Sequence, residues 1–147
     1  IFGDYELFGT MNVNYLRLDA IPRYADGWQP VLDALSSGDF FVTTGEVLIP
    51  EFPVHGRNSG DSVPAGTDLS HLAIEMELEW TYPLSRLSIV SGDGSRVFRD
   101  HFDLSATREF GSLPIRLEAD LRGRRWVRLE VWDIARNGAF TQPVWID

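Results

Sequence analysis

The stretch Leu69 to Trp80, LSHLAIEMELEW, constrains the fold more than any other part of the chain. Leu72, Ile74, Met76, Leu78 and Trp80 alternate with Ala73, Glu75, Glu77 and Glu79, so extended backbone gives one apolar face and one charged face. That is a half-buried strand. Its glutamates form a same-face row that could imitate the carboxylate pair of a glycosidase, but a row opposite an apolar face is ordinarily the wet side of a sheet.

The rest of the chain after residue 39 repeats this signature. LSRLSIVSGDGSRVFRDHF reads as strand, GDG turn and strand, the glycines supplying the positive φ of a tight hairpin. EFGSLPIRLEADL, a turn at Arg122 and Gly123, RRWVRLEVWDIA, a turn at RNGA and FTQPVWID complete the series, with Asn137-Gly138 a strong hairpin signal. In the penultimate strand Val127, Leu129 and Val131 face one way, and Trp126, Arg128, Glu130 and Trp132 the other. Residues 55 to 68, HGRNSGDSVPAGTD, read as the longest loop.

One segment follows the other period. In DGWQPVLDALSSG, Asp26 is placed to cap a helix with Gln29 three residues on, and Pro30 suits the first turn. Trp28, Val31, Leu32 and Leu35 then share a face, and Gly38 supplies the stop. Before it, MNVNYLRLDAIPRY has strand-like content with no partner in view and ends at Pro22. The expected fold is mainly β: an antiparallel, immunoglobulin-like β-sandwich with one short N-terminal helix.

A chain of 147 residues is long enough for one domain with its own core. It has neither cysteine nor lysine, which removes disulfides, thiolate metal sites, cysteine nucleophiles, Schiff-base lysines and P-loop lysines together. The formal charge is −9 and is unevenly placed: residues 1 to 80 carry 13 acidic and 3 basic groups. Residues 81 to 147 carry 9 acidic and 10 basic groups. Such a chain lacks the basic surface that non-specific nucleic-acid binding needs, and no apolar run approaches the roughly 20 residues of a membrane span. The opening IFGDYELFGT has neither the features of a signal peptide nor an initiator Met, so the chain is expected to be cut from a longer one. Its compartment is undetermined, with secreted and periplasmic locations both compatible.

Chemistry-bearing motifs are sparse. His55, His71 and His101 stand in no metal-binding spacing; RDHFD groups Asp100, His101 and Asp103, but neighbours along a strand point to opposite faces. SGDGS lacks the spaced carboxylates of a calcium loop, and no serine lies in G-x-S-x-G. Trp126 and Trp132, six residues apart on one strand face and roughly 20 Å apart, are more informative, because Arg128 and Glu130 lie between them. Such a face suits sugar stacking, docking of another domain, or cover by the chain's own segments.

WQPVLDALSSGDFFVTTGEVLIPEF, followed by strands ending WVRLEVWDIARNGAFTQPVWI, resembles the C-terminal part of the PHP-type metallohydrolases, in the carbaryl-hydrolase-like branch. The resemblance covers most of residues 11 to 147. It implies that residues 1–46 close a preceding PHP-type domain and that 47–147 form an accessory β-sandwich. It further implies that the partner is an N-terminal catalytic domain of the same parent chain, whose divalent metal is zinc, manganese or iron. The family's H-x-H pair is missing here, so no catalytic or metal-binding residue carries over and no cofactor is expected in this chain. Thr43, Thr44, Gly45 and Glu46 would at most line the rim of the neighbouring barrel, while Trp28, Trp126, Arg128, Glu130 and Trp132 are the other candidate interface or binding residues. The expected function is a non-catalytic accessory domain of a metal-dependent hydrolase. A free-standing carbohydrate-binding or protein-interaction module is the alternative, and an independent enzyme the third.

Overall fold

The computed structural model of the chain describes residues 12–147. They form a mainly β structure of two sheets and one α-helix, with a short 3-10 turn on either side of the first crossover. The smaller sheet contains β3 (Val47–Glu51), β5 (Leu72–Trp80) and β8 (Gly111–Ala119), all antiparallel. In the larger sheet, β9 (Trp126–Asp133) is the central strand. One edge of β9 pairs with β6 (Leu84–Gly92), which carries β7 (Val97–Asp103) beyond it. The other edge pairs with β10 (Gly138–Thr141) at one end and β11 (Val144–Ile146) at the other. β10 continues to β2 (Phe40–Thr43) and β1 (Val13–Leu16), so the strand-like segment before the helix finds its partner in β2. β11 pairs in parallel with the two-residue β4 (Ser62–Val63), drawn from the segment expected to be a loop. Residues 13–43 and 126–146 therefore share one hydrogen-bonded sheet.

The alternation in LSHLAIEMELEW appears directly as burial. Leu72, Ile74, Met76, Leu78 and Trp80 are inside and Glu75, Glu77 and Glu79 outside. These side chains meet Leu87, Ile89, Val127, Leu129 and Val131 from the larger sheet in one core. Proline at Pro114 is tolerated because β8 pairs only with β5, leaving a free edge where a missing N–H breaks no ladder bond.

Both expected hairpins form, by different chemistry. At the β6–β7 turn the Asp93 carboxylate accepts from the backbone N–H groups of Ser95 (2.8 Å) and Arg96 (2.7 Å), and Gly94 takes φ 93°. The β9–β10 connection is not a two-residue Asn-Gly turn. Positive φ falls on Arg136 (70°), Asp133 accepts from both the backbone N and Nδ2 of Asn137, and Gly138 begins β10. Gly138 is required there for space: a Cβ would lie 2.6 Å from the Trp132 ring.

The helix α1 (Gln29–Ser37) also departs from expectation in two respects. Trp28, not Asp26, occupies the N-cap and makes no side-chain cap, while Gln29 Nε2 donates to Asp33 Oδ1 at 2.7 Å instead of closing a capping box. The helix buries Ala34; Trp28, Leu32 and Leu35 stand exposed on the face expected to be the apolar one. Gly38 ends the helix in the left-handed region and packs closely on Gly60, where any side chain would overlap the Ser37 carbonyl.

Candidate functional site

The barrel-rim candidates, Thr43, Thr44, Gly45 and Glu46, form the crossover from the larger sheet to the smaller. Thr43 is buried; its hydroxyl donates to the Val47 carbonyl and accepts from the Gly45 N–H at 2.9 Å. Thr44 Oγ1 accepts from the Gly138 N–H at 3.1 Å, and the Glu46 carbonyl accepts from the Thr81 N–H at 3.0 Å. Gly45 takes φ 105°, which a side chain would strain. The Thr43 hydroxyl is thus committed to the turn and the Thr44 hydroxyl to β10, which explains why threonine and glycine stand here.

The other candidates separate into two surfaces. Trp28 belongs to the first, with Ile21, Tyr24, Leu32 and Leu35, all exposed; Trp28 is 78% exposed, so it is not buried against Trp126 or Trp132. Trp28, Leu32 and Leu35 recur at helical spacing and make one apolar face without cover among the described residues.

Trp126, Arg128, Glu130 and Trp132 belong to the second surface, the outer face of the larger sheet, where the register assembles them with residues from four other strands. Directly opposite Trp126, Arg128, Glu130 and Trp132 on β6 stand Gly92, Val90, Ser88 and Arg86. β7 adds Val97, Arg99, His101 and Asp103 to the same rows. Phe140 and Trp145 join from β10 and β11. The Trp126 indole lies across the position a Gly92 Cβ would occupy, as Trp132 lies across Gly138. The rings are therefore laid along the sheet by glycines facing them, a cross-strand pairing that neither strand discloses alone.

Glu130 is the electrostatic centre of this face. Its side chain is only 12% exposed and accepts from Arg99 Nη1 at 2.6 Å and from Arg128 Nη2. The Arg128 guanidinium also sits 5.2 Å from the Phe140 ring centroid, within cation–π range. Beneath these side chains Val90 and Ser88 are wholly buried, although both lie outside the main core face. Ser88 Oγ and His101 Nδ1 are 2.8 Å apart. The pair does not make a nucleophile, because Ser88 is 1% exposed and Glu130 flanks the serine instead of orienting the histidine. At the far end, Ser85, Arg86, Trp132, Asp133, Ile134 and Arg136 line a recess of about 380 Å³.

The RDHFD group is divided by the pleat. His101 and Asp103 share the outer face with Ser88 and Arg86, whereas Asp100 pairs with Ile89 on the inner face. The Asp103 carboxylate accepts from the Ser105 side chain and from the Ser105 N–H, the latter at 2.8 Å, and these bonds hold it below the usual carboxylate range. Among the described residues no group of three or more His, Cys, Asp or Glu is placed to hold a metal ion, and no helix is long and apolar enough to cross a membrane.

Sequence reasoning found the β9 members of this face and missed Ser88, Arg86, Arg99, Phe140 and Trp145. The available signal was the GDG hairpin, which sets the β6–β7 register; the β6–β9 pairing joins segments about 40 residues apart and leaves no local trace. Comparison of the chain with family models, with curated proteins and with solved structures finds no match.

Proposed function

We propose that this chain is a non-catalytic accessory domain, an immunoglobulin-like β-sandwich that supports a catalytic domain of a metal-dependent hydrolase in the same parent chain. The observation that carries this reading is the uncovered apolar face of Trp28, Leu32 and Leu35, extended by Ile21 and Tyr24. A helix face of this composition left in water is costly, and covering it offsets that cost. The surface lies on the segment that the PHP-like resemblance assigns to the junction with the barrel, so the occupant is that barrel. A metal belongs to the neighbouring domain in this reading, as the PHP-like resemblance implies.

Hydroxyl-radical footprinting of Trp28 and Tyr24, in this chain and in the full-length gene product, tests the docking. Strong labelling of the isolated chain and several-fold protection in the full-length protein are expected; equal labelling defeats the proposal. Elemental analysis of both preparations adds a separate readout, with near-stoichiometric divalent metal expected in the full-length protein alone.

A further inference from the structure

We infer that the outer face of the larger sheet is a binding platform for an anionic oligosaccharide, one whose sugar rings carry carboxylates. This surface is distinct from the helix face, and the inference does not rest on the docking proposal.

Three observations carry it. The first is aromatic: Trp126 and Trp132 lie along the sheet over Gly92 and Gly138, and Trp145, directly opposite Trp126, is 45% exposed. A ring backed by a glycine turns its other side outward, as stacking on the apolar face of a pyranose requires. Six strand residues separate Trp126 from Trp132 by roughly 20 Å, enough for several linked sugar rings.

The second is charge. In a chain of net charge −9, this face gathers Arg86, Arg99, Arg128 and Arg136 against Glu130 and Asp103, while Asp133, which also lines the recess, is buried and bonded to Asn137. Arg99 and Arg128 are held by Glu130, whereas Arg86 and Arg136 enter no ion pair among the described residues and flank Trp132 around the recess. Guanidinium groups beside a stacked ring match the carboxylate of a uronate, which they can bind with two parallel N–H···O bonds.

The third is pre-organisation. Val90 and Ser88 are already dry beneath the Arg99–Glu130–Arg128 cluster, and ring positions are set by backbone register, so little ordering remains for a ligand to impose. Glu130, between two arginines, adds an acceptor for sugar hydroxyls. Single-stranded nucleic acid also stacks on aromatic rings, but a dodecanucleotide brings roughly three times the negative charge of a tetragalacturonate to a strongly acidic molecule.

Titration calorimetry with tetragalacturonate, cellotetraose and a thymidine dodecanucleotide tests the inference on this chain. Tetragalacturonate should bind, at least tenfold more tightly than cellotetraose, and the nucleotide should not bind. Arg136→Gln and Arg86→Gln, which leave the tryptophan–glycine pairs intact, should each weaken tetragalacturonate binding several-fold. Trp132→Phe, checked for folding by circular dichroism, should weaken it about tenfold, while Trp28→Ala should leave it unchanged. Absence of tetragalacturonate binding, equal or tighter binding of the nucleotide, or binding indifferent to both arginine variants would overturn the proposal.

Discussion

The two outer faces of this two-sheet molecule are built from the same alternating pattern and differ in nearly everything else. On the smaller sheet, Glu75, Glu77 and Glu79 stand in water, and Arg116 reaches Glu75 across the strands at 3.3 Å with both side chains mostly exposed. On the larger sheet, the matching positions of β9 hold Trp126, Arg128, Glu130 and Trp132, all half-buried, over a wholly buried Val90 and Ser88. The first is a solvated acidic face whose cross-strand Arg116–Glu75 ion pair stays open to water. The second is a layer in which aromatic rings, glycines and one doubly bonded carboxylate depend on one another. Period-two alternation identifies which side chains point outward; it is the partner strands that decide whether outward means wet.

That contrast can be broken at graded cost. The largest effect is expected at the interior both sheets share: Leu129→Ala removes a fully buried side chain and should cost about 2 to 5 kcal/mol in urea melts, and a loss below about 1 kcal/mol would misplace the core. Next is the centre of the larger sheet's outer face. Glu130→Ala strips Arg99 and Arg128 of their shared acceptor and should cost about 1 to 3 kcal/mol. Glu77→Ala on the opposite face should stay within about 0.5 kcal/mol by the same melts, and equal effects for the two glutamates would erase the distinction drawn here.

The smallest effect is a pH dependence confined to the exposed turns. The Asp120 carboxyl, bonded by the Arg122 guanidinium, is lowered to about 2 from an ordinary 3.8. A depressed carboxylate contributes stability that is present above its unfolded value and is lost as pH falls through its folded one. Melts of the parent and of Asp120→Asn should therefore diverge slightly above pH 4 and converge towards pH 2; divergence that grows on acidification would reverse the assignment.

Much of this was legible in the chain. LAIEMELEW gave its buried and exposed faces residue by residue, and the GDG hairpin follows from glycine and an aspartate side chain acting within four residues. Where a residue serves a distant partner, local rules point elsewhere. Asn137-Gly138 looks like a two-residue turn, yet Gly138 is a strand residue because the Trp132 ring occupies its side-chain space. Helical periodicity puts Trp28, Val31, Leu32 and Leu35 on one face, of which Val31 is half-buried and the other three exposed, but periodicity says only that such side chains lie together. It does not say whether this chain covers them. The candidate platform was half visible for the same reason: β9 supplies four of its residues, and the others arrive through pairings set by the whole topology.

The position of β9 bears on the order in which the molecule is made. The strand that joins β10 and β2 on one side to β6 on the other lies at residues 126–133, and β11, which anchors β4, lies at 144–146. During synthesis β2 and β6 emerge long before the strands that will separate them. Through that interval the β6–β7 hairpin waits with one edge open and β2 has β1 alone beside it. The larger sheet thus closes only once residues 126–146 have left the ribosome, so its central strand is also among the last of its strands to be made.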